Sequence, residues 1–184
     1  MKKLLLTLLA VALTTTMQAQ RVSLRTNVTA DLLMTPSLGA EMTVGERSTL
    51  SLNAFGNYKP WGWDMKMFAV QPEYRYYFSG RPMHSFFAGI GAIAGFYDLT
   101  FKGKVYDGIA YGGGVTFGYV LNINKRINVD FHAGCGAVGY DRKEYYKGDN
   151  YNHDYVIDGK VKTNSKGYYI MPTNIGVSFA YIIW

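Results

Sequence analysis

Apolar and polar residues alternate along most of this chain with a period of two residues. In residues 175–184 every second side chain is large and apolar, namely Ile175, Val177, Phe179, Tyr181 and Ile183. Because successive side chains of a β-strand point to opposite faces, this alternation predicts a strand with one apolar face. The same alternation recurs upstream and predicts eight strands, at residues 21–33, 38–44, 49–58, 67–78, 85–101, 109–121, 127–136 and 175–184.

The second face of the predicted strands is polar or rich in glycine. In the fourth strand, Val70 and Tyr74 alternate with Gln71, Glu73 and Arg75. A water-soluble barrel would place its polar face outside, whereas an apolar outside and a polar interior are typical of membrane barrels. Segments of about 9–11 residues also suit a tilted crossing of the bilayer. The pattern therefore predicts an all-β, eight-stranded antiparallel up-and-down transmembrane β-barrel.

The connections between the strands predict an orientation for this barrel. The second, fourth and sixth connections are short, at residues 45–47, 79–83 and 124–126. The longer ones include residues 102–108 and, above all, 141–167, whereas 35–37 is a short exception. Bacterial barrels keep periplasmic turns short and outer loops long, so we expect both termini in the periplasm. Proline cannot donate to the ladder, so a bulge or local break is expected at Pro72.

Residues 1–19 have the pattern of a secretory signal peptide. Two lysines precede an apolar stretch, residues 4–13, and Met17-Gln18-Ala19 is a plausible cleavage site. The apolar stretch is too short to span a bilayer as a helix. We therefore expect residues 20–184 to form a barrel in the outer membrane of a Gram-negative cell.

The composition of the chain argues against nucleic acid as a partner and excludes an intrachain disulfide. Cleavage of the predicted signal peptide would remove Lys2 and Lys3 and lower the formal net charge from +6 to +4. Because the sequence also shows no basic stripe, nucleic acid is not an expected partner. Cys135 is the single cysteine, which leaves no intrachain disulfide, and its apolar surroundings indicate a small hydrophobic side chain.

The predicted interior face carries most of the strands' charge. An eight-stranded barrel is only wide enough for side chains to fill it, and buried charges are costly unless they are paired. We therefore expect a salt-bridged plug, in which Glu41 and Glu73 are the candidate partners of Arg75; an ion path and a catalytic carboxylate pair are the alternatives. The predicted interior polar residues are Arg25, Asp31, Glu41, Gln71, Glu73, Arg75, Asp130 and His132.

Enzymatic and metal chemistry would need further groups. His132 and Asp130 share a strand face, but no nucleophile or oxyanion donor is placed beside them. The predicted strands separate His132 from His84 and His153, so neither a metal nor another cofactor is expected. A lipid-modifying enzyme and a soluble periplasmic carrier of an apolar ligand remain as alternative functions.

The predicted last outer loop combines mixed charge with tyrosines. This composition suits contact with a surface protein or a glycan, and the alternative is a solvated loop without a partner. Its aspartates match no calcium-loop spacing. The candidate contact residues are Tyr145, Tyr146, Tyr151 and Tyr155.

Two resemblances support this interpretation. The end of the chain resembles the C-terminal signal by which the barrel-assembly machinery recognises outer-membrane proteins, through Asn174, Gly176, Phe179, Tyr181 and Trp184. The chain also resembles a Bacteroidota family of small outer-membrane barrels catalogued as a domain of unknown function. The residues that carry this resemblance are 35–41, 172–176, Asn57-Tyr58-Lys59-Pro60-Trp61 and Gln71-Pro72-Glu73-Tyr74-Arg75-Tyr76.

The family resemblance implies an outer-membrane barrel. From the predicted barrel and its outer loops we expect a monomer that acts through those loops in a structural or adhesive role. The predicted barrel implies contact with outer-membrane lipid, and the resemblance of the C-terminal strand implies contact with the assembly machinery. The family resemblance implies a surface partner, since some relatives are encoded beside fimbrial proteins. Many family members carry a cysteine pair in the last loop, which this chain lacks. The resemblance supplies no activity.

Overall fold

The computed structural model describes residues 21–149, 151, 156–157, 160–161 and 163–183. The predicted signal peptide and Trp184 lie outside these residues. Eight antiparallel strands close into a barrel, as predicted. The last barrel strand pairs on one side with the seventh barrel strand and on the other side with the first. The barrel strands are β1 (Val22–Asn27), β2 (Ser37–Thr43), β3 (Ser48–Tyr58), β4 (Met65–Tyr77), β5 (Ser85–Phe101), β6 (Lys104–Asn122), β7 (Ile127–Tyr146) and β10 (Ser165–Ile182), while β8 (Val156–Ile157) and β9 (Lys160–Val161) form a separate two-stranded sheet.

The first predicted strand is wrong in its second half. β1 ends at Asn27, and a short helix, α1 (Val28–Leu32), follows it. The Asn27 side chain caps this helix by accepting a hydrogen bond from the Ala30 backbone N–H at 3.2 Å. Over five residues, alternating apolar positions are compatible with a helical turn as well as with a strand. The alternation therefore could not distinguish the helix from a continued strand. No helix in the described part of the chain is long and apolar enough to cross a membrane.

The two ends of the barrel differ in the connections between their strands. We call the end where β1 begins and β10 ends, with the connections 44–47, 78–84 and 123–126, the turn end, and the opposite end the loop end. The predicted loop 102–108 is wrong, because β5 and β6 meet at Lys102 and Gly103. Both residues have positive φ, at 50° and 78°, as a two-residue hairpin turn requires.

The predicted loop 141–167 is also too long. β7 continues to Tyr146 and β10 begins at Ser165, so the ends of the predicted loop belong to the barrel wall. These extensions lack the apolar face that the sequence pattern relied on. Cross-strand pairs of charged residues replace it, since Asp107 lies opposite Lys143 and Lys166 Nζ is 2.6 Å from Asp141 Oδ2.

The irregularities of the sheet lie near two prolines. At Pro72 the β4–β5 pairing is interrupted without a change of register, which confirms a local break rather than a bulge. A register shift does occur in β10, between Pro172 and Asn174. It turns the backbone around Thr173 toward the interior, where the Thr173 carbonyl accepts from Gln71 Nε2 at 3.3 Å.

The predicted division of the two faces is confirmed. Large apolar side chains such as Leu52, Ile90 and Phe117 point outward and are more than half exposed, at 57%, 64% and 62%. Polar side chains such as Thr49 and Arg75 point inward and are fully buried. A small apolar core closes the interior at the turn end and consists of Tyr77, Phe87 and Val120.

Candidate functional site

Charged side chains from four strands meet in the barrel interior. The Arg75 guanidinium lies 2.8 Å from Glu73 Oε2 and 2.6 Å from Asp130 Oδ2. Arg25 pairs with Glu41 at 3.1 Å and with the same Asp130 oxygen at 2.9 Å. All five side chains are almost wholly buried, and their contacts cross the full width of the interior. We call Arg25, Glu41, Glu73, Arg75 and Asp130 the ion-pair cluster.

Uncharged neighbours complete this cluster. Glu41 Oε1 accepts hydrogen bonds from Thr49 Oγ1 at 2.6 Å and from Tyr77 Oη at 2.7 Å. The Arg75 guanidinium lies 4.3 Å from the centre of the Phe87 ring, within cation–π range. Sequence reasoning did not single out these three neighbours. The alternation could have found Tyr77, which stands two residues after Arg75 and therefore on the same face.

His132 and Gln71 lie inside the barrel, next to the ion-pair cluster. His132 Nδ1 is 3.5 Å from Asp130 Oδ1, and the Asn27 side-chain nitrogen is 3.4 Å from Nε2. Gln71 spans the interior to the irregular segment of β10. Both residues are buried, with 5% and 6% of their surface exposed, so both form part of the interior lining.

The prediction that Asp31 belongs to the interior cluster is wrong. Asp31 lies on α1, and its carboxylate accepts from the Ser37 backbone N–H at 2.8 Å and from Thr26 Oγ1 at 2.5 Å. The change from strand to helix at Asn27 turns this carboxylate toward the start of β2. Asp31 therefore fixes the connection between β1 and β2 instead of pairing with an arginine.

The ion-pair cluster carries three carboxylates and two guanidinium groups. Within the described residues, Glu73 Oε1, Asp130 Oδ1 and His132 Nδ1 have no hydrogen-bond partner. Ser178 lies opposite Asp130 in the β7–β10 register, but no hydrogen bond joins it to His132 in the described structure. The arrangement is that of a plug, since each charge has an ionic partner and loss of Arg75 would leave Glu73 buried without compensation.

A cavity of about 270 Å³ lies beside this plug, toward the loop end. Its polar lining includes Arg25, Gln71 and His132, and its apolar lining comes from α1, β2, β3, β4 and β10. We call it the mouth cavity. A second cavity of about 270 Å³, the side cavity, shares Phe55, Met67 and Thr173 with it and is otherwise mainly apolar. Neither was predicted, because the first strand was expected to continue along this wall.

A second cluster lies on the inner face of the wall at the loop end. Arg142 lies over the rings of Tyr140 and Tyr106, at 4.2 and 4.9 Å, and Tyr140 stacks on Tyr169 at 5.1 Å. Glu144 accepts hydrogen bonds from Lys104 and Arg142, and these bonds lower the pKa of Glu144 to about 2. We call Lys104, Tyr106, Tyr140, Arg142, Glu144 and Tyr169 the tyrosine–arginine cluster.

The predicted contact tyrosines are only partly where they were expected. Tyr145 and Tyr146 are the last residues of β7 and therefore belong to the wall, although Tyr146 is 64% exposed. Tyr151 is buried, with its ring 5.2 Å from that of Tyr145. Tyr155 lies outside the described residues. Sequence reasoning missed the tyrosine–arginine cluster because two of its tyrosines flank the segment that was read as a loop.

The residues of the C-terminal signal lie on both faces of β10. Phe179 and Tyr181 point outward and are about half exposed, whereas Asn174 and Gly176 lie opposite the inward-facing Gly134 and His132. A Cβ atom at position 176 would collide with the Asn27 side chain that caps α1. Gly176 therefore has a steric role in this barrel. Trp184 lies outside the described residues.

A family model described as Protein of unknown function (DUF3575) matches residues 5–183. The chain belongs to the DUF3575 family. This match confirms the resemblance to a family catalogued as a domain of unknown function. No curated protein and no solved structure matches the chain. The family description names no activity, so the functional argument for this DUF3575 protein depends on its geometry.

Proposed function

We propose that this DUF3575 protein is a monomeric β-barrel of the outer membrane, with a structural or adhesive role exerted through its loop end. The observation that supports this proposal most directly is a closed barrel whose apolar face is exposed and whose charged face is buried. In water this arrangement would expose a large continuous apolar surface, which soluble monomers rarely do. In a bilayer the same surface faces lipid, and the strand pairing around the barrel satisfies most of the backbone.

The types of outward side chain support this location. Aromatic residues concentrate toward the two ends of the belt, and aliphatic residues such as Leu52, Ile90 and Val115 lie between them. Membrane barrels carry such aromatic girdles at the two lipid–water interfaces. The outward aromatic residues toward the loop end are Tyr58, Phe68, Phe96, Tyr111 and Tyr168, and those toward the turn end are Tyr76, Phe78, Phe86, Tyr119 and Tyr181.

The height of the belt agrees with the thickness of a membrane. Charged residues end the outward apolar face on successive strands at the loop end, at Lys66, Asp98, Asp107, Asp141 and Lys166. From Phe68 to Phe78, a chain that rises about 3.3 Å per residue and tilts by about 40° climbs about 25 Å. That is about the height of the apolar band of an outer-membrane barrel.

The tyrosine–arginine cluster supports a contact role at the loop end. Tyrosine and arginine are enriched at protein interfaces, because both offer a large contact area together with hydrogen-bonding groups. Glu144 and Lys104 add charge of both signs. A surface protein or a glycan fits this composition. The ion-paired interior favours this role over the transport of an apolar ligand through the barrel, because a ligand that crossed the whole interior would have to displace buried charges.

Flotation with lipid vesicles tests the membrane assignment. The purified mature chain is refolded with phosphatidylcholine vesicles, and the vesicles are washed with alkaline carbonate and floated on a density gradient. We expect the protein to float with the vesicles and to migrate differently on gels before and after heating. Recovery of folded protein at the bottom of the gradient, without detergent, would instead identify a soluble carrier.

A further inference from the structure

The barrel wall has a gap between β1 and β10 on the loop-end side. The two strands pair only from Asn27 opposite Ser178 to Ser23 opposite Ile182. Beyond Ser178, the described residues provide no strand on this side of β10. α1 takes that place and contacts β10 through single hydrogen bonds, from the Val177 backbone N–H to Thr29 Oγ1 at 3.1 Å and from Asn27 Nδ2 to the Ile175 carbonyl at 3.4 Å.

The mouth cavity reaches through this gap. Its lining includes Arg25 and Gln71, which point into the interior, together with Leu38 and Ile175, which point outward and are 65% and 56% exposed. A complete wall would separate these two sets of side chains. The cavity is therefore continuous from the barrel interior to the outer apolar face.

An apolar path leads inward from the gap. Leu33 lines the mouth cavity, Phe55 and Met67 line both cavities, and buried Val138 and half-exposed Met171 line the side cavity. The two adjoining cavities together are comparable to ligand pockets of about 300–1,000 Å³. The ion-pair cluster ends the path toward the turn end, since an apolar group there would face buried charges.

We propose that the gap admits one acyl chain of a phosphate-bearing lipid from the surrounding leaflet into the mouth cavity. This inference rests on the proposed membrane location. The gap lies below Lys166 on β10, within the outward apolar belt, so hydrocarbon is the medium outside it. Within the described residues, β10 has no strand partner on this side before Ser178, so its backbone N–H groups there can donate to the ester carbonyls of such a lipid.

Positive charge beside the gap suits the phosphate of the same lipid. The ammonium groups of Lys59 and Lys66 lie 5.8 and 5.3 Å from the centre of the Tyr58 ring, at the end of β3. The adjoining Trp61 backbone N–H lies 3.4 Å from the Met34 sulfur, just beyond α1. Both lysines are exposed and near the interface, where a phosphate would lie if its acyl chain entered the gap.

Photocrosslinking in vesicles tests the proposal on the unmodified mature chain. The probe is phosphatidylcholine with a diazirine near the end of one acyl chain, and tandem mass spectrometry locates the adducts. We expect adducts on inward-facing Met67 and Met171 as well as on outward-facing Phe68 and Ile90. Adducts confined to Phe68 and Ile90 would overturn the proposal and leave the membrane assignment intact. Adducts on none of these residues would overturn the membrane assignment itself.

A matched pair of variants tests the route. Ala30 lines the mouth cavity from α1, so Ala30→Phe should narrow the gap, whereas Ala92→Phe adds the same ring to the exposed outer face of β5. We expect Ala30→Phe to lose the adducts on Met67 and Met171 and to retain those on Phe68, and Ala92→Phe to retain all of them. Unchanged inward adducts in a folded Ala30→Phe barrel would exclude entry beside α1.

Discussion

Arg75→Met probes the ion-pair cluster at the residue with the most ionic contacts. Arg75 is fully buried and approaches Glu73, Asp130 and Glu41 at 2.8, 2.6 and 3.7 Å. In the variant, Arg25 still pairs with Glu41 and Asp130. Glu73 loses its only ionic partner within the described structure, so the variant leaves one buried carboxylate without compensation.

The expected cost follows from that stranded charge. Removing one partner of a buried ion pair destabilises a protein by about 3–5 kcal/mol. The lost contact with the Phe87 ring adds to this cost. In the Arg75→Met background, Glu73→Gln should restore part of the stability, because it removes the uncompensated charge. In the wild type the same Glu73→Gln change should destabilise the barrel, because it weakens a pair at 2.8 Å.

Urea unfolding of the vesicle-folded barrel, followed by tryptophan fluorescence, measures these differences. Arg81→Met is the matched control, because Arg81 is exposed in the connection between β4 and β5. We expect its unfolding midpoint to remain close to that of the wild type, since exposed side chains contribute little. Equal midpoints for Arg75→Met and Arg81→Met would refute the argument that this interior is held by buried ion pairs.

Three further predictions concern the outer face and the loop end. Val115→Arg, in the middle of the apolar belt, should destabilise the vesicle-folded barrel by about 2–4 kcal/mol in urea unfolding, and an unchanged midpoint would exclude a lipid-facing position. The pKa of Glu144 is lowered from 4.5 to about 2, so the stability that its bonds add is present above pH 4.5 and is lost as the pH falls toward 2. An NMR titration midpoint near 4.5 would contradict this. Replacing residues 147–162 with a glycine–serine linker should leave heat-modifiable folding unchanged, and loss of folding would show that the barrel depends on this segment.

The alternation of side chains predicted most of the barrel because both of its faces are uniform. β5 begins and ends at the predicted Ser85 and Phe101, and outward apolar residues alternate in its middle with inward Gly89, Gly91 and Gly95. The same logic placed Arg75 and Asp130 inside. It named Glu41 and Glu73 as partners of Arg75, and these lie at 3.7 and 2.8 Å. It missed the contact at 2.6 Å between Arg75 and Asp130, because β4 and β7 are not neighbours in the sheet.

The unpredicted features depend on local geometry that a period of two residues does not encode. α1 forms because the Asn27 side chain caps it, which is one hydrogen bond within a stretch that also alternates. The loop-end extensions of β6 and β7 are held by polar pairs such as Lys104 with Glu144, so they lack an apolar face. The mouth cavity follows from α1, because a longer β1 would have continued the wall beside β10.

Cysteine labelling in intact cells tests the central claim, that this chain crosses the outer membrane with its loop end outside. Cys135, which is exposed on the outer face of β7, is first replaced by alanine, and Asn152→Cys is introduced into the connection between β7 and β10. A maleimide that cannot cross membranes is then added before or after the outer membrane is disrupted. The account predicts full labelling of position 152 in intact cells. Labelling only after disruption would contradict the orientation and the proposed contact role.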